Sequence, residues 1–156
     1  MAQTMNAKDS ISASLAECYI TIDGNRYNFM QAINLEATVE KNKTEVPILG
    51  RTGKGNKAAG WTGSGSATFH YNTSIFAKML EKYKDTGEDI YFDIQVKNED
   101  PTSSVGSQIV ILRDCNIDGG LITKFDADAE YLESDCDFTF DDFSIVQAFG
   151  ELSGMK

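Results

Sequence analysis

Residues Thr44–Gly65 read TEVPILGRTGKGNKAAGWTGSG. Glycine and lysine recur across these roughly twenty residues, and the segments on either side alternate like β-strands. The composition predicts a long loop, and structureless loops of this length inside a compact domain usually serve a function. It carries Arg51, Lys54 and Lys57, with Lys41 and Lys43 just before it and Glu45 as the one interruption, in a chain of net charge −10. The opposite pole is Asp126–Asp142, where eight Asp/Glu occur with no basic residue. Residues 1–87 hold ten Lys/Arg and eight Asp/Glu, a balance of +2, whereas residues 88–156 hold four and sixteen, a balance of −12. A basic projecting loop and an acidic remainder describe the two ends of a self-associating unit.

Working outward from the loop, period-two alternation dominates. On the C-terminal side Ala67, Phe69 and Tyr71 alternate with Ser66, Thr68 and His70. On the N-terminal side Ile33, Leu35, Ala37 and Val39 point inward, with Asn34, Glu36, Thr38 and Glu40 outward. The loop therefore sits at the tip of an extended hairpin. Met30-Gln31-Ala32 breaks the phase and reads as a bulge. Before it, Cys18, Ile20 and Ile22 form one strand face, Asp23-Gly24-Asn25 a hairpin turn, and a return strand starts near Tyr27.

Beyond Tyr71 the period changes. Ile75, Phe76, Met79, Leu80 and Tyr83 form one helical stripe, with Thr73 or Ser74 to cap its start and Gly87 to close its end. Strands resume at Ile90, Phe92, Ile94 and Val96, and residues 98–108 (NEDPTSSVGSQ) read as a loop. Ile109–Ile117 reads as a strand buried on two sides, and Asp118-Gly119-Gly120 as a turn. Phe125, Ala127, Ala129 and Tyr131 then alternate with Lys124, Asp126, Asp128 and Glu130, and Phe138 and Phe140 continue in that manner before a short tail. The expectation is a mainly β fold of seven or eight antiparallel strands with one α-helix, a β-sandwich or partly open barrel. It divides into an N-terminal arm (1–15), a domain (16–149) with projecting loop 41–63 and helix 74–86, and a C-terminal tail (150–156).

At 156 residues the chain is one domain, able to bury about two thirds of its unfolded surface. No apolar run approaches the ~20 residues that cross a bilayer, and the polar N-terminus lacks the apolar core of a signal peptide. These readings predict folding in the cytoplasm without membrane anchoring. Cys18, Cys115 and Cys136 lack CxxC spacing and read as small buried hydrophobes. The acidic total argues against wrapping nucleic acid, which needs positive charge, but an acidic wall suits a conduit that nucleic acid passes without sticking.

Catalytic chemistry finds no support. A Walker A loop needs Gly where Ile48 stands and Ser/Thr where Gly55 stands. The dinucleotide pattern fails at Ala58 and at Thr68. His70 is the sole histidine and alternates within a strand; no nucleophile-elbow GxSxG occurs. Asp126-x-Asp128-x-Glu130 hints at a calcium loop, but Tyr131 stands where the sharp turn requires Gly. No catalytic residue, metal ligand or cofactor is expected.

Taken over its whole length, the chain resembles the bacteriophage tail tube proteins of contractile tails, defective prophages and R-type bacteriocins. The resemblance is carried by MNAKDSISASLAECYITIDGNRYNF (5–29) and by ILGRTGKGNKAAGWTGSGSATFHYN (48–72) running into TSIFAKMLEKYKDTG (73–87). It implies a structural protomer of hexameric rings stacked head to tail, six subunits closing an inner β-barrel whose lumen passes DNA or ions. The implied partners are the chain itself, a tail sheath, baseplate and tail-terminator proteins, and a tape-measure protein in the lumen, with DNA only as passing cargo. The implied location is a virion tail or bacteriocin particle assembled in the bacterial host cytoplasm.

The residues fit that picture. A heterologous interface that does not close grows a filament, complementary end charges fix its polarity, and barrel closure removes sheet edges. Within the resemblance, Lys41–Gly63 falls at the ring-to-ring contact, with Lys41, Lys43, Arg51, Lys54, Lys57 and Trp61. Trp61 is either an interface anchor or a core tryptophan. The lumen candidates are the polar strand faces Asn34, Glu36, Thr38, Ser66, Thr68, Asp126, Asp128 and Glu130; the alternative for each is a solvated outer face. The arm orders against a neighbouring subunit or stays a disordered terminus. Two rival readings are a type VI secretion inner-tube protein, and a monomeric β-barrel with an apolar cavity for a small ligand.

Overall fold

The alternation seen in the sequence becomes strands wherever one face finds something to pack against. A computed structural model describes residues 3–12 and 14–155; residues 1, 2 and 13 of the arm and 156 of the tail lie outside the described residues. After a single 3₁₀ turn (Ala7–Asp9) come β1 (Ala16–Ile22), β2 (Asn25–Asn28), β3 (Ala32–Val46), β4 (Gly55–His70), α1 (Ile75–Thr86), β5 (Phe92–Glu99), β6 (Ser107–Gly120), β7 (Glu133–Phe140) and β8 (Asp142–Gln147). Every ladder is antiparallel.

Strand β6 organises the rest. Its first half pairs β5 on one side and β8 on the other, while Asn116–Gly120 pairs β7. Between the halves the β5 ladder slips, from Ile94↔Leu112 to Phe92↔Cys115. Asp114 takes up the slack in the left-handed region at φ 54°, a conformation few residues other than Gly, Asn and Asp accept. Its N–H donates to Asp93 Oδ1 at 3.1 Å. A bulge of this kind bends a strand, and the sheet order β2-β1-β5-β6-β7-β4-β3 is thereby divided into two half-sheets that share β6. The result is the expected mainly β, antiparallel fold with one helix, open rather than closed into a barrel.

The halves meet in a core filled by aromatic rings. Ile20, Ile22, Phe92, Ile94 and Leu112 come from one half-sheet, Phe69, Cys136, Phe138 and Phe140 from the other, and α1 adds Phe76 and Met79. Phe76 lies 5.3 to 5.9 Å, ring centre to ring centre, from Phe69, Phe29 and Phe92. The helix starts with the Ile75 N–H donating to Thr73 Oγ1 (3.4 Å) and ends where Gly87, at φ 73°, donates to the Tyr83 carbonyl at 2.8 Å. The turn between β1 and β2 is the expected one, Asp23 and Gly24 both having positive φ.

Six expectations on local structure are corrected. Met30 and Gln31 are the passage from β2 in one half-sheet to β3 in the other, and the break in register follows them, between Ala32 and Asn34. Asp118-Gly119-Gly120 does not turn; Gly119 stays in β6 opposite Asp137. Residues 121–132 form no strand, and Phe125 is 91% exposed. Alternation of Ala with Asp gives no face large enough to repay ordering it as a strand. The loop after β5 shrinks to residues 100–106, and the tail after Phe140 contains β8. Most consequentially, the long loop of residues 44–65 is mostly hairpin: β3 runs on to Val46 and β4 begins at Gly55, leaving residues 47–54 as the tip.

Candidate assembly surface

Strand β4 carries Gly55, Gly60, Gly63 and Gly65, a composition that reads as loop. Two of these glycines are required by packing. A Cβ on Gly63 would run into the Phe140 ring, and one on Gly65 would meet the Phe138 ring and the Glu36 carbonyl oxygen at 2.7 Å. The neighbouring β7 thus lays its rings across the bare backbone of β4. Gly60, at φ 125°, lies where the β3–β4 register shifts between Lys41↔Trp61 and Lys43↔Ala58. Beyond Gly63 the hairpin pairs only with itself, so residues 40–62 form an arm leaving the body.

The opposite face of this half-sheet is polar. Residues directly across a ladder share a face, so the pairings Glu36↔Ser66↔Asp137, Asn34↔Thr68↔Asp135 and Thr38↔Ser64↔Thr139 form three polar rows. Thr68 Oγ1 donates to Asp135 Oδ1 at 2.8 Å. An open groove is lined by Glu36, Thr38, Ser64, Ser66, Asp118 and Asp137. Six carboxylates alternate onto the outward side here (Glu36, Glu40, Asp118, Glu133, Asp135, Asp137), and no Lys or Arg occurs in residues 34–40, 62–70, 116–120 or 133–139.

The structure therefore brings together Asn34, Glu36, Thr38, Ser66 and Thr68 of the expected lumen residues. It separates Asp126, Asp128 and Glu130 from them, because these lie in the exposed loop 121–132. There Asp128 N–H donates to Asp126 Oδ1 at 3.1 Å and Lys124 Nζ to the Glu133 carbonyl at 3.4 Å. Asp118, Asp135 and Asp137 take their place on the polar face. For the β7 pair the signal was present in the sequence, since Cys136, Phe138 and Phe140 alternate with Asp135, Asp137 and Thr139.

The basic residues spread along the arm rather than sharing one loop. Lys41 stands opposite Trp61, Lys43 opposite Ala58 and Lys57 opposite Thr44, all within strands. Only Arg51 and Lys54 belong to the tip, where Lys54 Nζ lies 3.7 Å from Glu45 Oε2 with both side chains largely exposed. Trp61 lies at the rim of the core, 42% exposed, edge-on to Phe143 at 5.7 Å and 6.3 Å from Phe140. The β3 face expected to point inward remains open: Ile33 and Val39 are exposed and Leu35 is half-buried. At the tip Leu49 is fully exposed.

The described part of the N-terminal arm docks on its own chain. Asp9 accepts from the Ser104 N–H (3.0 Å) and hydroxyl (2.8 Å), and Asp100 accepts from the Ser12 N–H at 2.9 Å and the Thr102 N–H and hydroxyl at 3.0 and 2.7 Å. These hydrogen bonds hold both carboxyls below the usual range, the backbone N–H of Ser104 leading for Asp9 and the Thr102 hydroxyl for Asp100. The thiols are inert. Burial pushes Cys115 and Cys136 up to about 12 and Cys18 to about 11. Among the described residues no His/Cys/Asp/Glu group could hold a metal ion, and no helix is long and apolar enough to cross a membrane.

Comparison with known proteins agrees with this geometry. The family model described as "Phage tail tube protein" matches residues 3–147. The phage-like element PBSX protein XkdM of Bacillus subtilis (strain 168) is 37% identical over 147 residues, covering 94% of this chain and 97% of its own length. In fold, the chain is similar to one in the sheath-tube complex of the PVC extracellular contractile injection system, with a TM-score of 0.65 at 9% identity, covering 91% of this chain and 94% of that one. It is also similar to the SPP1 tail tube protein, with a TM-score of 0.62 at 11% identity, covering 94% and 83%. With nearly the whole sequence matched, the chain belongs to the phage tail tube protein family, whose members are structural parts of tails rather than enzymes.

Proposed function

We propose that the protein assembles as hexameric rings stacked head to tail into a hollow tube, with the acidic face of the β6–β7–β4–β3 half-sheet lining the lumen. The observation that carries this reading is a four-stranded half-sheet with an open edge on each side. The fifteen residues of β3 pair only with β4, and the C-terminal end of β6 pairs only with β7. An unpaired edge of that length is a template for another strand and aggregates unless it is covered. Six copies of four strands would close a barrel of 24, wider than the 16–18-stranded barrels that already hold an aqueous channel. Its wall would bring a carboxylate-rich, lysine-free surface to the lumen, which repels a phosphate backbone and lets DNA move. A tape-measure protein would occupy this lumen before DNA, and a sheath, a baseplate and a terminator would be the outer and end partners, as the solved assemblies with related folds suggest.

Analytical ultracentrifugation with negative-stain electron microscopy of the purified protein tests the reading. Six-fold rings or hollow tubes are the expected result. A chain that stays monomeric at high concentration, and also fails to polymerise on a tail baseplate, overturns it. The ligand-binding barrel has little support. The cavity beside Phe69, Tyr71 and Phe76 holds about 30 Å³, room for a water or so, and the spaces of about 290 to 380 Å³ are open surface clefts rather than a barrel interior.

A further inference from the structure

Strand direction places two unlike features at opposite ends of one half-sheet. β4 runs from the hairpin tip at Gly55 to His70, and β7 runs antiparallel to it, with Gly63 opposite Phe140 and His70 opposite Glu133. The loop 121–132, which feeds β7, therefore lies at the end away from the tip, about 50 Å along the strand at ~3.3 Å per residue. The His70 ring packs against Tyr131 at 5.6 Å, and the Tyr71 hydroxyl donates to the Ile122 carbonyl at 3.4 Å, fixing the loop there. The tip and the strand ends that carry it, residues 43–57, hold four basic residues and one acidic, a balance of +3. The loop 121–132 holds three acidic residues and one basic, a balance of −2. Each end also exposes a large apolar side chain that its own chain leaves uncovered: Leu49 at the tip (103%) and Phe125 in the loop (91%).

We infer that loop 121–132 is the socket for the hairpin tip of a second copy of this chain in the next ring, an inference that rests on the stacked-ring reading above. The occupant is identified by complementarity on three counts. The two charges are opposite, the two apolar residues each lack a cover, and the two sites sit at opposite ends of the strand direction, which is what head-to-tail addition requires. Arg51 and Lys54 face Asp126 and Asp128, and Leu49 meets Phe125. The carboxylates set aside from the lumen thereby gain a role at the junction between rings. Exposed charge pairs are individually weak, but six act together at each junction. A twofold weakening at every one of six linked contacts multiplies to about 60-fold.

The test is a charge swap in the full chain. Arg51→Glu with Lys54→Glu forms one variant, Asp126→Lys with Asp128→Lys a second, and all four substitutions a third. All positions are exposed, and thermal unfolding of each monomer checks that folding is intact. Sedimentation counts hexamers, and electron microscopy measures tube length. Each two-site variant is expected to form six-fold rings while losing at least tenfold in mean tube length, and the four-site variant to regain most of it. If the Asp126/Asp128 variant stacks at wild-type length, or if the four-site variant regains nothing, the socket assignment is overturned while the rings stand. If the wild type gives no hexamers or tubes on a baseplate, the stacked-ring reading falls first.

Discussion

β7 and β3 lie in the same half-sheet with only β4 between them, yet they meet different surroundings. Four of the eight residues of β7 are buried, and none of the fifteen residues of β3 is. Both strands alternate apolar and polar residues. β7 spends its apolar face on the core, where Phe138 and Phe140 close over β4, whereas β3 holds Ile33 and Val39 out to solvent. The lesson is that alternation reports a face wanting cover and not whether the cover is in the same chain. In the proposed ring, the open apolar face of β3 is the one left for another subunit to cover.

Substitutions on the two strands and their surroundings should separate folding from assembly. The largest effect belongs to the core: Phe76→Ala removes the ring that joins Phe29, Phe69 and Phe92 and should cost about 3–5 kcal/mol, read by urea unfolding of the monomer. Val39→Ser, on the open face, should leave that unfolding curve nearly unchanged and instead reduce ring formation. Equal losses from the two would erase the contrast between the closed core and the open face of β3. Next comes Gly63→Val, which drives a branched side chain into the Phe140 ring and should cost about 1–3 kcal/mol by overpacking. Thermal unfolding checks it, and Phe140→Leu in the same chain should recover part of the loss.

A third experiment lowers the pH. Asp9 and Asp100 titrate below their ordinary value of 3.8 in the folded chain. The docking they provide is therefore present above that value and lost as pH falls through their folded values, the unfolded chain binding protons first. Hydrogen-exchange protection at Ser12 and Ser104, taken relative to an unprotected amide at the same pH, should hold at pH 5 and be lost as the pH falls well below 3.8, while the amide of Phe138 in β7 stays protected throughout. A single cooperative loss at all three would mean that the arm is no separate unit. Smaller still, Lys54→Glu should change monomer stability by no more than about 0.5 kcal/mol, because its pair with Glu45 is exposed. Smallest of all, Cys115 and Cys136 should stay unmodified by iodoacetamide at pH 8 until the protein unfolds, since the thiolate is the reactive form and both titrate near 12.

How much was legible in the sequence depended on where each side chain's partner lay. Helix α1 was plain because its stripe, the Thr73-Ser74 pair at its start and its closing Gly87 are all local. The first hairpin was plain because Asp23-Gly24 is a turn by its own conformational preferences. The arm was misjudged because the reason for Gly63 and Gly65 sits some seventy residues later, in the rings of Phe140 and Phe138. Residues 124–131 failed the other way: their alternation was real, but Ala127 and Ala129 are too small to make a face worth burying. The polar face was half legible, since Asn34, Glu36, Thr38, Ser66 and Thr68 share a hairpin, while Asp135 and Asp137 join them only through the β4–β7 register.

Strand β6 has a mechanical consequence. It is one covalent chain passing through both half-sheets, with Asp114 at the bend. A force drawing the β7–β4–β3 strands away from β1 and β5 is then borne by the peptide bonds of β6 as well as by the packed core between the half-sheets. In the proposed tube, a push on the outer half-sheet would reach the lumen wall through that continuous backbone.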